Sequence, residues 1–343
     1  MKIVKSLTLT FFLFSGIFLH WTALSQAENP NKNSDSLFKQ GKKLSESSPL
    51  QAYQKFTEAL QSSNTLWKKR ALCLQERGIV LFKLQKYPPA VADFNQAIKL
   101  EPTNFLTHKY LTKTLFLLHQ LHEGLQESLR ALELKDDDPE LHYLRGRIFL
   151  SLHHSAGETL QGNIIASAVK EFDEAVDGKR NYIEAYFHCG MAYMVSGNFR
   201  EAIERFGKAL KYNKKLYQAW FEIANANQKL SDELQEVEAL EECLKIRENY
   251  LPAYHILLPL CDKLHFTDKI AFHLAKAVPQ FPEDPLIQKF FQHYPLAGEQ
   301  KQKKQEEPEK AAPLPSAAIP PAAKQETPMS SQKKDRAADD NWY

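Results

Sequence analysis

Between Ser34 and Asp284 a single pattern recurs about every 34 residues, and a chain with that period has few ways to bury its apolar side chains. The clearest copy is Ile183 to Leu216. Tyr186, Cys189-Gly190 and Tyr193 fall in its first half, and Ala202, Phe206 and Ala209 in its second. Apolar residues spaced i, i+3, i+4 and i+7 give each half one apolar helical face. The small residues sit where two antiparallel helices approach closest, and the large ones fill the spaces between them. Such a pair cannot cover its apolar faces alone, so copies must stack into a solenoid.

Other copies carry the same marks. Ala71 to Asn104 has Leu74, Gly78, Leu81, Ala90, Phe94 and Ala97. Leu251 to Asp284 has Tyr254, Leu257, Leu274 and Ala277. Tyr217 to Tyr250 keeps Trp220, Ala224 and Leu240 but has Glu236 where alanine is usual. Phe105 to Asp138 is weaker, keeping Leu111, Leu115, Gly124 and Ala131. These residues resemble the tetratricopeptide repeat (TPR) family. The resemblance implies an all-α fold, a right-handed TPR superhelix (α-solenoid) of about seven helix-turn-helix repeats over residues 34–284.

Two repeats are irregular. The one covering 139–182 is about ten residues too long for the period, and the excess, Ser151 to Asn163, is expected between its helices. The first, covering 34–66, is followed by Trp67 to Arg70, expected to lengthen the next helix by about one turn. A last apolar face needs a cover. Pro285 to Phe291, opening on a proline suited to a first helical position, predicts a capping helix over 285–296.

The ends differ from the middle. Lys2 and Lys5 precede an apolar run, Leu7 to Leu19, and Ser25-Gln26-Ala27 offers the small residues a signal peptidase reads. Residues 1–27 are therefore expected to be an export signal. An uncleaved anchor is the other reading, since Ser6 to Leu24 is about 19 residues, near the lower limit of a membrane span. Only in that case would the protein meet a membrane. Residues 298–343 are rich in Lys, Gln, Glu, Pro and Ala and are expected to be a disordered tail, with too little apolar area to offset the entropy of ordering. Export, together with the lack of an Asn-x-Ser/Thr sequon, points to a bacterial envelope.

A formal charge of +2 and only short basic clusters, such as Lys68-Lys69-Arg70, argue against a nucleic-acid partner. No phosphate loop, nucleophile elbow or HExxH motif is present, so no enzyme and no cofactor are expected. Cys73, Cys189, Cys243 and Cys261 read as buried thiols, with a Cys243–Cys261 bridge as the alternative. His119, His122, His153 and His154 occupy neighbouring helix–helix turns, solvated or gathered at a metal edge; the first is preferred and no metal is predicted.

In the TPR family the first helix of each repeat lines a concave face. The resemblance therefore implies a groove built from Phe82, Lys109, Tyr110, Lys113, Phe116, Tyr143, Arg147, Phe187, Met191, Met194, Phe221 and Asn225. Lys109, Lys113 and Arg147 are expected at its rim. The family's clamp for chaperone C-terminal carboxylates uses lysines and asparagines; Lys109 and Lys113 fit, whereas Leu144 stands where asparagine is needed. The function implied is a non-catalytic scaffold binding a peptide or protein partner, an adaptor or assembly factor. The alternative is a small apolar ligand or lipid held in the same stripe for envelope transport.

Overall fold

The computed structural model describes residues 31–155 and 161–294. The expected signal (1–27) and tail (298–343) lie outside the described residues. Among the described residues there are fifteen α-helices and no strand. The chain divides into two compact parts, Met1–Arg180 and Asn181–Tyr343.

In the first part the helices pair as α1 (Lys32–Leu44) with α2 (Pro49–Ser62), α3 (Arg70–Lys83) with α4 (Tyr87–Leu100), α5 (Phe105–Leu117) with α6 (Leu121–Leu134), and α7 (Pro139–Ser155) with α8 (Gln161–Gly178). In the second part α9 (Ile183–Val195) pairs with α10 (Phe199–Tyr212), α11 (Tyr217–Leu230) with α12 (Glu233–Ile246), and α13 (Leu251–Lys263) with α14 (Thr267–Gln280). Helix α15 (Pro285–His293) closes that part, burying Ile287 and Phe290. Asp284 caps it through Leu286 N and Ile287 N, both at 3.1 Å, and the helix ends at His293, short of the expected 296.

Helix pairing rests on one size match. A Cβ placed on Gly41, Gly78, Gly146 or Gly190 would stand 2.6 Å from the ring of Phe56, Phe94, Phe172 or Phe206 respectively. Each glycine admits a fully buried phenyl from the second helix of its own repeat. At the same two places the following repeats change both partners: Ala224 goes with Leu240, and Thr112 with Ser128. In these two repeats a larger first-helix residue is matched by a smaller second-helix one, conserving volume, whereas the last repeat has Leu258 with Leu274 at the same places.

The turns are equally regular. Gln85, His119, Ser231 and His265 take left-handed φ of 57–58°, and Gly197 takes 77°, all at one register position. Each helix end is closed by two backbone bonds. For α3 these are Gln85 N to Phe82 O, 2.9 Å, and Lys86 N to Leu81 O, 2.8 Å. The pattern recurs as His119 N to Phe116 O with Gln120 N to Leu115 O, and as His265 N to Asp262 O with Phe266 N to Cys261 O.

Two expectations need correction. Trp67 to Lys69 do not lengthen α3, which begins at Arg70. They form a turn because Trp67 is buried against Phe38, ring centroids 6.2 Å apart, and donates through Nε1 to Asp35 Oδ1 at 3.0 Å. The excess in the long repeat is not all linker either. Helices α7 and α8 run to 17 and 18 residues, absorbing Ser151–Ser155 and Gln161–Asn163. Continuing a helix satisfies backbone groups that a loop would leave to solvent.

All four cysteines are buried and none is in a disulfide, so the Cys243–Cys261 bridge is not formed. Burial pushes the Cys73 and Cys243 thiols up to about 12 and Cys261 to about 11, which keeps them protonated and unreactive. Among the described residues no helix is long and apolar enough to cross a membrane.

Candidate functional site

The predicted stripe separates into an accessible row and a buried set. In the first part Phe82, Tyr110, Lys113, Phe116, Tyr143 and Arg147 are all half-buried. Phe82 meets Tyr110 edge-on with ring centroids 5.7 Å apart, and Tyr110 stacks on Phe94 at 6.2 Å. Lys113 Nζ lies 5.3 Å from the Tyr110 centroid. The Arg147 guanidinium lies 4.9 Å from Phe116 and 6.0 Å from Tyr143. Tyr110, Phe116 and Tyr143 therefore each lie beside a positive charge, while Phe82 packs against Tyr110.

Lys109 does not belong to the rim. Only 8% of it is exposed, and its Nζ bonds Asp138 Oδ1 at 2.9 Å and Oδ2 at 3.0 Å and lies 2.7 Å from Glu140 Oε2. Asp138 also accepts from Leu141 N at 2.8 Å, so one carboxylate caps α7 and anchors α5. The fifth place of a first helix faces the start of the next first helix. There Gln75 accepts from Thr107 Oγ1 at 2.8 Å, and His255 Nε2 meets Asp284 Oδ2 at 3.0 Å. Lys113 is also engaged, pairing with Glu140.

In the second part Met191, Met194, Phe221 and Asn225 are half-buried. Phe221 meets the Tyr250 ring edge-on at 5.1 Å, and Asn225 Nδ2 donates to Glu222 Oε2 at 3.1 Å. Phe187 is a second correction. It is fully buried, with its ring 5.5 Å from that of Phe206 on the second helix of its own repeat. Leu144 is buried as well, within an apolar cluster with Ile148 and Leu152.

Polar pairs that the repeat pattern did not suggest hold the first part together. His108 Nδ1 lies 2.8 Å from Glu127 Oε2, and His142 Nδ1 2.8 Å from Glu171 Oε2. Arg77 forms a two-pronged bridge to Asp93, both bonds 2.7 Å. Asp93, Glu127 and Glu171 each stand one place before the second-helix ring position. For Glu127 and Glu171 the signal in the sequence was a histidine, His108 or His142, where other repeats carry Tyr186, Trp220 or Tyr254.

His119 and His122 are exposed and line a cleft of about 710 Å³ with Ser151 and Leu152. His154 has no described side chain. Among the described residues no group of three or more potential ligands is placed to hold a metal.

Tetratricopeptide repeat models match residues 183–216 and 217–250. A solved tetratricopeptide repeat protein from Parabacteroides merdae superposes with a TM-score of 0.53, covering 76% of this chain and 98% of that one at 12% identity. The chain is a tetratricopeptide repeat protein. As a TPR protein it is also similar to curated plant proteins. Hsp70-Hsp90 organizing protein 3 of Arabidopsis thaliana is 30% identical over 112 residues, 32% of this chain and 20% of that protein. Hsp70-Hsp90 organizing protein 1 of Glycine max is 28% identical over 184 residues, 54% of this chain and 27% of that protein. The TPR chain thus spans between 19% and 27% of the length of these relatives.

Proposed function

We propose that this TPR protein is a non-catalytic scaffold that holds a peptide segment of a protein partner against its first-helix face. One observation carries the reading: the half-buried row of Phe82, Tyr110, Phe116 and Tyr143, interleaved with Lys113 and Arg147. Rigid rings offer wide contact area at low entropic cost, and the flanking cations fix the rings' positions before a partner arrives. Met191, Met194 and Phe221 supply a second, more adaptable stripe.

The similar plant proteins are named for organising Hsp70 and Hsp90. Capture of a chaperone carboxylate does not follow for this chain, because Lys109 and Lys113 are already paired with Asp138 and Glu140 and Leu144 is buried. A small apolar ligand is the weaker reading. The clefts of about 710 and about 440 Å³ are lined mostly by polar side chains.

The proposal extends to export into a bacterial envelope, on the strength of Lys2, Lys5, the apolar run and Ser25-Gln26-Ala27. Mature protein beginning at Glu28 supports it; an intact N-terminus in the cytosolic fraction overturns it.

The test of the binding face is a peptide array probed with the mature chain and with a Phe82→Ala/Phe116→Ala variant. A peptide subset bound by the wild type and weakened by about tenfold or more in the variant supports the reading. Equal binding by both proteins, or no bound peptide, overturns it.

A further inference from the structure

The second part carries a buried carboxyl that the repeat does not need. Glu236 occupies the second-helix place held by Ala90 and Ala202 in other repeats. Only 4% of it is exposed. Its Oε1 accepts one bond, from Gln228 Nε2 at 3.1 Å. Among the described residues no cation pairs with it. Burial pushes its carboxyl above the ordinary range. An alanine here would avoid this cost altogether.

Glu236 lines the cleft of about 440 Å³, whose other walls come from α11 and α13. Glu233 and Lys263 also reach it but neutralise each other as an ion pair. Glu236 is therefore the charge left over. Ile256, Pro259 and Leu260 form an apolar wall beside it. Pro259 lies inside α13 and has no N–H, so the carbonyl of His255, four residues back and also lining the cleft, loses its helical donor. The Gln228 amide spends its N–H on Glu236 and keeps its oxygen as an acceptor. The cleft thus gathers acceptors, one surplus negative charge and a strip of apolar surface.

A ligand suited to this arrangement has several donors, a positive charge and an aliphatic stem. We propose that the cleft is a subsite for one lysine or arginine side chain of the bound peptide, with its stem along Ile256 and Leu260 and its cationic end on Glu236. This rests on the first-helix face being the peptide-binding face. Gln228, His255, Ile256, Pro259 and Lys263 belong to the first helices α11 and α13, so the subsite is built on the first helices of the second part, which also carry Phe221 and Asn225. A charged hydrogen bond formed away from water is worth considerably more than one at an open rim.

The test uses short peptides recovered by the wild-type chain on the array. Each lysine or arginine is replaced in turn by norleucine, and binding is measured with wild type, Glu236→Gln and Glu236→Ala. The expected result is one basic position whose replacement weakens wild-type binding about tenfold or more, with no further loss in either variant. Both variants should melt no lower than the wild type, since the carboxyl is a liability in the free protein. Peptides that bind without any basic requirement, or whose requirement persists in Glu236→Gln, overturn the subsite while leaving the binding face standing. No bound peptide removes both.

Discussion

A Cβ on Gly190 would stand 2.6 Å from Cε1 of Phe206, and this one approach sets how close helices α9 and α10 can pack. The same pairing is repeated in three other repeats and is replaced by Ala224 with Leu240 in the next. Gly190→Ala should destabilise the protein by about 1–3 kcal/mol through overpacking. Adding Phe206→Leu should make the alanine nearly harmless, because the pair then copies its neighbour. A double-mutant cycle by urea unfolding reads the coupling; additive costs contradict the match.

The left-handed turn position predicts a gain. Gln85 is exposed and holds φ 57°, a conformation that costs a side chain about 1–2 kcal/mol and glycine little. Gln85→Gly should raise stability by about 0.5–1 kcal/mol after the added entropy of the unfolded chain is subtracted. Gly197→Gln, made at the matching turn, should lower it. Thermal melts that shift in the other direction contradict the assignment.

The Arg77–Asp93 bridge is intolerant of losing one partner. Asp93 is 3% exposed, and Asp93→Ala leaves the guanidinium with Thr57 Oγ1 at 3.3 Å as its remaining side-chain bond. The expected loss is about 3 kcal/mol. A shift below about 1 kcal/mol in chemical denaturation contradicts a tight bridge.

His108 and His142 make stability depend on pH. His108 has Glu127 on one ring nitrogen and the Pro102 carbonyl on the other, both at 2.8 Å. His142 repeats this with Glu171 and the Asp136 carbonyl. Two acceptors require two N–H groups, hence the imidazolium. The carboxylate bond, then the carbonyl bond, raise each histidine above its ordinary value against the opposing effect of burial. A raised folded value means stability that is complete below about pH 6.5, the unfolded histidine value, and lost as pH rises through the folded value. His273 works the opposite way, since burial lowers it and stability falls as pH drops. The comparison is therefore wild type against His108→Tyr/His142→Tyr, which keeps His273 in both. The wild-type advantage should shrink between slightly acid and slightly alkaline pH; a constant difference contradicts the imidazolium assignment.

The architecture was legible because it rests on spacing and size. Gly190, Phe206 and Ala209 announce a close helix pair wherever they recur, and the pattern survives even where Glu236 or Thr112 intrudes. The site was legible only in part. Phe82, Tyr110 and Phe116 stay half-buried at the groove positions of the repeat, as do Tyr143 and Phe221, whereas Phe187 and Lys109 are buried at theirs. Both occupy the fifth place, whose exposure depends on the next helix, and that neighbour is not encoded locally. Trp67 misled for the same reason: its partners Phe38 and Asp35 lie a whole repeat away. His108–Glu127 went unseen because two residues 19 apart meet only after the helices pair.

The central claim is that partners dock on the first-helix face, and photo-crosslinking in the native cell tests it most directly. A photoreactive residue replaces Tyr110 and, separately, Met191, with exposed Asn95 on α4 as control. The account predicts a discrete protein adduct at Tyr110 and Met191 and none at Asn95. Adducts at Asn95 alone, or none at either first-helix position, contradict it.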